Sequence, residues 1–286
     1  MTDVVLAIDF GGTKTAVGCV STAGELLMSE RMPTAPTSDV LRRALASAAE
    51  LRAKAVAQPD WRLVGAGVAS PGVVRPDRVL LAPNMPGWES LALPAALRAG
   101  LDGLPVAVGN DVQAAGLAEA RWGNLRGHDG LYVNLGTGLS AAIVIDGRVV
   151  RGANGAAGEI GFARTTGEET LEQIIGGAAL GARVGRIAGR PMTASEAFAS
   201  ADTRIQLVVR EAIAHFAHAL AALVTLLDPE RVVIGGGMAN EGDRLLDPLR
   251  ETLEETVPFP PEVLTSAFDD ASLLGAAALA ITCGGS

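Results

Sequence analysis

The 286-residue chain has little of what marks a protein for export, for a membrane or for nucleic acid. It holds two cysteines, Cys19 and Cys283, far apart and without the Cys-x-x-Cys spacing of a metal or redox pair. They read as reduced thiols of a cytoplasmic protein, and nothing in the sequence supports a disulfide between them. No run of 18 or more uncharged apolar residues occurs, and Met1-Thr2-Asp3 leads straight into a strand-like segment without a basic n-region. A membrane partner is therefore not expected. Lys and Arg total 23 against 32 Asp and Glu, a net charge of −9, and no Lys/Arg-rich run is present. The broad electrostatic footprint of a nucleic-acid binder is missing, so any phosphate-bearing ligand has to be held locally. A Walker A segment and a low-complexity linker are also missing.

What is present suits a large globular α/β chain. Apolar residues make up 49% of the sequence against 19% charged, ample for buried cores. The length predicts two lobes rather than one core. Residues 4–10, VVLAIDF, read as a buried strand that breaks at Gly11-Gly12 and resumes in TAVGCVSTAGELL through a turn at Ala23-Gly24. A similar hairpin recurs at 130–150 around Gly136-Thr137-Gly138, with an Asp146-Gly147 turn, which is a weak internal repeat. Helices are expected over 38–57, after Asp111, over 203–227 and over 271–282, with strands at 62–70, at PVAVGN and at RVVIGG. The duplication places the lobe boundary near Asp111, giving a small lobe of 1–110 plus about 271–286 and a large lobe of 111–270.

Five segments offer chemistry, and each has a plain structural alternative. Asp9 to Thr15, DFGGTKT, follows a strand: Gly11 and Gly12 let backbone approach a ligand, while Thr13, Lys14 and Thr15 offer groups for phosphate oxygens. Asp9 is placed to orient Mg²⁺ or its water shell; the alternative is a hairpin turn with a solvated lysine. Gly136, Thr137 and Gly138 repeat the offer. Gly136-x-Gly138-x-x-Ala141 also fits a dinucleotide fingerprint, but that motif needs a helix next, and AAIVIDGRVV predicts a strand. Asn110-Asp111 stands where a strand meets a helix, as a general base with a hydrogen-bonding neighbour would, or simply as a helix N-cap. Glu159 is the sole carboxylate of the glycine-rich loop 152–162, able to face a polyol or to lie on a surface connection. Gly235, Gly236 and Gly237 end a buried strand, either against a flat adenine or for close strand-to-helix packing. His215 and His218 share a helix face, but no third ligand follows, which favours a structural or solvated pair.

The order of the motifs is more telling than any one of them: Asp-x-Gly-Gly-Thr-Lys, Ser-Pro-Gly, Asn-x-x-x-Trp, Asn-Asp, Leu-Gly-Thr-Gly, Ala-Gly-Glu-Ile-Gly and Ile-Gly-Gly-Gly. That succession resembles the ROK family of sugar kinases and repressors from Val4 to the last helix. The resemblance implies an actin-like ATPase fold of two ribonuclease-H-like lobes, with ATP and sugar in a central cleft. It implies that Asp9 to Thr15 and Gly136 to Gly138 are two phosphate loops, with Gly235, Gly236, Gly237 and Met238 along the adenosine. It maps the sugar side onto Gly72, Asn84, Asn110, Asp111 and Glu159, with Glu172 the candidate for the last sugar-binding glutamate. Asp111 becomes the base that takes the proton of the hydroxyl on carbon 6.

Three departures stand out. Ser140-Ala141-Ala142 follows the second phosphate motif where glycines are usual. Phe162 stands where the resemblance expects a histidine shared by zinc and sugar, and ARTTGEETLEQIIGGAAL replaces the Cys-rich zinc segment. The expected cofactors are therefore ATP and Mg²⁺ without structural zinc, and the acceptor a small sugar; a homodimer is left open. The expected reaction is phosphorylation of glucose or a gluco-configured hexose at the 6-hydroxyl. Kinases for an amino sugar such as kanosamine, or for a cyclitol, are the alternative. A non-catalytic sensor is a third class, and a repressor would resemble this chain with a helix-turn-helix before the first phosphate motif.

Overall fold

A computed structural model describes residues 1–164 and 167–283. Thr165 and Thr166, within the segment that stands in for the zinc loop, and the side chain of Cys283 lie outside the described residues. Two compact units emerge: Met1–Arg126 with Arg151–Ala156 and Phe268 onward, and Gly127–Val150 with Ala157–Ala267. The expected boundary at 110/111 is a strand–helix junction inside the first unit.

The first unit contains β1 (Thr2–Phe10), β2 (Lys14–Ser21), β3 (Leu26–Pro33), α1 (Thr37–Val56), β4 (Trp61–Ser70), β5 (Val73–Val74), β6 (Val79–Leu80), α2 (Leu93–Gly100), β7 (Val106–Asn110), α3 (Asp111–Trp122) and, from the far end of the chain, α9 (Ala271–Cys283). The second contains β8 (Gly130–Leu135), β9 (Leu139–Ile145), β10 (Arg148–Val149), α4 (Leu171–Ile175), α5 (Gly177–Ala188), α6 (Ala194–Phe198), α7 (Thr203–Leu227), β11 (Arg231–Gly235), α8 (Asp243–Thr256) and β12 (Glu262–Thr265).

The two five-stranded sheets repeat one plan. Their orders are β3-β2-β1-β4-β7 and β10-β9-β8-β11-β12, each with an antiparallel meander followed by two parallel strands. This repeats the plan hinted at by the paired hairpins and fits the ribonuclease-H-like lobes that the resemblance implies. A helix cannot follow Gly136-x-Gly138 because β9 does, which removes the dinucleotide-binding alternative.

Burial explains the sequence pattern. Along β1, Val4, Leu6, Ile8 and Phe10 pack toward α1, whereas Val5 and Ala7 face α3 and α9. Both faces being covered, the strand reads as a continuous apolar run. Cys19 sits in the first of these cores, where burial pushes its thiol up to about 11, so it is inert. The contact of α3 with α9 depends on small residues: a side chain at Gly275 would strike the Ala114 carbonyl. In the second unit α7 is apolar and long enough to cross a membrane, yet it buries Ile205, Val209, Phe216, Leu220 and Val224 in the core.

Candidate functional site

In the first unit the 11–15 loop is a tight turn closed by Gly11 N–H donating to the Lys14 carbonyl at 3.0 Å. Gly12 is different. A side chain there would meet nothing nearer than Asn84 Cβ at 4.0 Å, so the fold leaves open space over this backbone and places the two residues side by side. Thr13 and Lys14 are exposed. Thr15 is not: it is fully buried, its hydroxyl 3.0 Å from that of Thr34, so it braces the loop and does not present its hydroxyl to phosphate.

Thr34, which the sequence reading passed over, pins this loop at two carbonyls and is itself held by α1. Its amide donates to the Thr13 carbonyl at 3.0 Å, its hydroxyl donates to Gly11 O at 2.6 Å, and its carbonyl accepts from Arg43. A threonine following β3, far from the loop in sequence, carries no signal of this role.

Asp9 shares a face of the sheet with α3 and α9. Its Oδ1 is sealed from solvent and has no hydrogen-bond partner among the described residues. Burial first, then the charges of Asp111 and Asp270, push this carboxyl well above the usual carboxylate range. Asp270 precedes α9 and pairs with Arg31. Arg31 lies in the same cross-strand row as Asp9, through Ala16. Asp270 is a second residue that sequence reasoning missed; Asp269-Asp270 ahead of an apolar helix was its one signal.

Asn110 and Asp111 divide the two roles that the sequence left open. Asn110 is the N-cap: its Oδ1 accepts the Gln113 amide at 2.9 Å, while its Nδ2 donates to the Gly72 carbonyl at 3.1 Å. Asp111 occupies the first helical position, half-exposed, with Oδ1 accepting the Val112 amide at 2.9 Å. Gly72 adopts φ +79°, a left-handed turn in which any side chain would strike the Leu80 carbonyl.

The second unit holds Gly136–Gly138 between β8 and β9. Gly177 and Ala178, at the start of α5, donate to the Gly136 and Thr137 carbonyls at 2.9 and 3.0 Å. Thr137 is exposed. Glu159 immediately precedes a 3₁₀ turn, Ile160–Phe162. Its carboxyl is raised by burial and by Glu172, against a hydrogen bond from Ser140 that lowers it. Phe162 is 59% exposed, an unusual setting for a ring of that size.

The three glycines after β11 are not equivalent. A side chain at Gly235 would meet the Tyr132 hydroxyl, and Gly236, at φ +82°, lies against Leu135, so strand packing accounts for both. Gly237 alone faces open space. Met238 is 4% exposed and its side chain packs into the core. His218 bonds the Ala214 carbonyl of its own helix at 2.7 Å. Among the described residues no group of three or more His, Cys, Asp or Glu is arranged to hold a metal.

Comparison with known proteins agrees with this architecture. The chain spans about half the length of the NanE/NanK bifunctional enzymes it matches; that of Brucella melitensis is 33% identical over 97% of this chain and 54% of its own. The glucokinase of Streptomyces coelicolor is 31% identical, with 97% of each chain covered. A crystal structure of a ROK family glucokinase from Streptomyces griseus, in complex with glucose and AMPPNP, has a TM-score of 0.82 at 28% identity, covering 98% of this chain and 99% of that one. The fold is the actin-like ATPase fold. With a ROK family model matching residues 5–283, almost end to end, the chain belongs to the ROK family.

Proposed function

We propose that this chain is an ATP-dependent kinase that phosphorylates the 6-hydroxyl of glucose or a gluco-configured hexose, with Asp111 as general base. The observation that carries this is the division of labour at the start of α3. Asn110 does the capping, so a carboxylate at the next position is not needed to start the helix. Asp111 then accepts the proton as the hydroxyl oxygen attacks the γ-phosphorus. The bond to the β–γ bridging oxygen breaks, and ADP leaves.

The other residues position the reactants. Gly72, braced by Asn110, and Asn84 beside Gly12 hold the acceptor near Asp111. The backbone of 11–14 and of 136–138 cradles phosphates, and Gly237 leaves room for the adenosine. Asp9 fits Mg²⁺: its buried, unpartnered Oδ1 stands among like charges, where a cation restores the ionised form. Bound with ATP, Mg²⁺ would neutralise phosphate charge. The glucose and AMPPNP held by the Streptomyces griseus relative support this reading.

A second reading, an amino-sugar or cyclitol acceptor, is favoured by one observation. Glu159 is raised partly by Glu172, and the exposed ring of Phe162 stands beside them, a setting that suits an ammonium group. The test is ADP release from ATP and Mg²⁺ across hexoses, amino sugars and cyclitols. Nucleotide binding without acceptor-dependent ADP release would instead make the protein a sensor.

A further inference from the structure

Glu172 projects from α4, a five-residue helix fixed by a capping box in which Thr170 and Gln173 bond each other's backbone. Its Oε2 accepts the Leu139 amide at 2.9 Å, the first residue after the Gly136–Gly138 loop. Three glycines make room for it. A side chain at Gly138 would strike its carboxylate, one at Gly161 would lie 3.3 Å from its Cβ, and one at Gly176 would lie 3.1 Å from its Cγ. The loop is thus held on both flanks: its carbonyls by the amides of Gly177 and Ala178, and the amide that follows it by Glu172. Among the described residues the Thr137 and Gly138 amides bond nothing, so they stay available to an anion.

We propose that Glu172 is a positioning residue for the Gly136–Gly138 phosphate loop, holding the Leu139 amide so that the loop amides keep an anion-binding geometry. This rests on the nucleotide reading of that loop. The carboxylate does so by accepting a backbone hydrogen bond that is fixed before any ligand arrives. Such pre-organisation raises affinity by removing the cost of ordering the loop. Adjacency to Glu159 is then a consequence of where the loop lies.

The assignment is tested with Glu172→Ala, Glu172→Gln and Gly138→Ala, each checked for folding by circular dichroism. Calorimetry reads Mg²⁺–ADP and glucose binding, and hydrogen exchange reads the 136–139 amides. Glu172→Ala is expected to weaken ADP roughly ten- to a hundredfold, the loss of one charge-assisted hydrogen bond. Glu172→Gln retains ADP affinity, because its amide oxygen still accepts from Leu139. Gly138→Ala, which pushes on the carboxylate, reproduces the alanine phenotype. The bonded Gly136 and Leu139 amides exchange faster in Glu172→Ala and not in Glu172→Gln. Unchanged ADP affinity and exchange in Glu172→Ala, or loss of glucose alone, overturns the proposal. If wild type binds no ADP while exchange still responds to Glu172→Ala, the loop-holding role stands and the nucleotide reading falls.

Discussion

The Asn110 side chain donates to the Gly72 carbonyl at 3.1 Å, so two residues 38 apart in the chain form one brace beside Asp111. Asn110→Ala removes both that bond and the helix cap. It is expected to cost about 1–2 kcal/mol of stability, read by urea denaturation. Asn110→Ser keeps a cap but no donor for Gly72, and should recover stability without recovering turnover.

Asp111→Asn leaves the cap and the fold intact. Its kcat is expected to fall by about 10² to 10⁴, the usual contribution of a general base, with the circular dichroism spectrum unchanged. Wild-type turnover in the folded variant would falsify the general-base assignment.

Thr34→Val keeps the volume and removes the hydroxyl shared with Thr15 and Gly11. Leaving these buried groups short of a partner is expected to cost about 1–3 kcal/mol. Because the same bonds pin the 11–15 loop, the KM for ATP should rise while the KM for the acceptor holds.

Asp9 makes stability depend on pH with a definite sign. Its folded-state carboxyl binds its proton more tightly than the unfolded one, so between the ordinary and the raised value the native state carries more protons and stability falls as pH rises. Asp9→Asn removes that dependence. The variant is expected to melt higher than wild type at neutral pH, and the gap should close below the ordinary carboxylate range. A melting series from pH 3 to 8 reads it. Nucleotide binding in Mg²⁺ should fall in the same variant.

Acceptor choice gives a fifth outcome. With Phe162 beside Glu159, glucose is expected to lead kanosamine and a carbasugar by less than about a thousandfold in kcat/KM. Tight hydroxyl readers reach roughly 10⁴ to 10⁵. A larger preference for glucose over both means that the ring end remote from the reacting hydroxyl is read strictly despite Phe162.

The periodic elements were legible because their causes are local. Alternation and glycine breaks marked both hairpins, and the Asn110-Asp111 junction was visible as a strand end meeting an apolar helix. Which of the two was the cap was not, since both residue types cap helices well and only side-chain direction decides. The five-residue helices α4 and α6 were missed, being too brief to show a period. Thr34 and Asp270 act across long sequence separations, through one row of a sheet and one helix end, which no local pattern announces. Thr15 and Met238 show the opposite case: each sits inside a ligand-like motif, but its side chain is buried.

The packing of Gly275 on Ala114 also bears on how the protein is made. Val5, Ala7 and Ala69 find part of their cover in α9, so a face of the first sheet waits for a segment made much later. At ordinary rates of synthesis the residues in between take on the order of ten seconds to emerge. The second unit can condense in that interval. That sheet stays half-dressed and adhesive meanwhile, so a chaperone that shields it would matter most until α9 emerges.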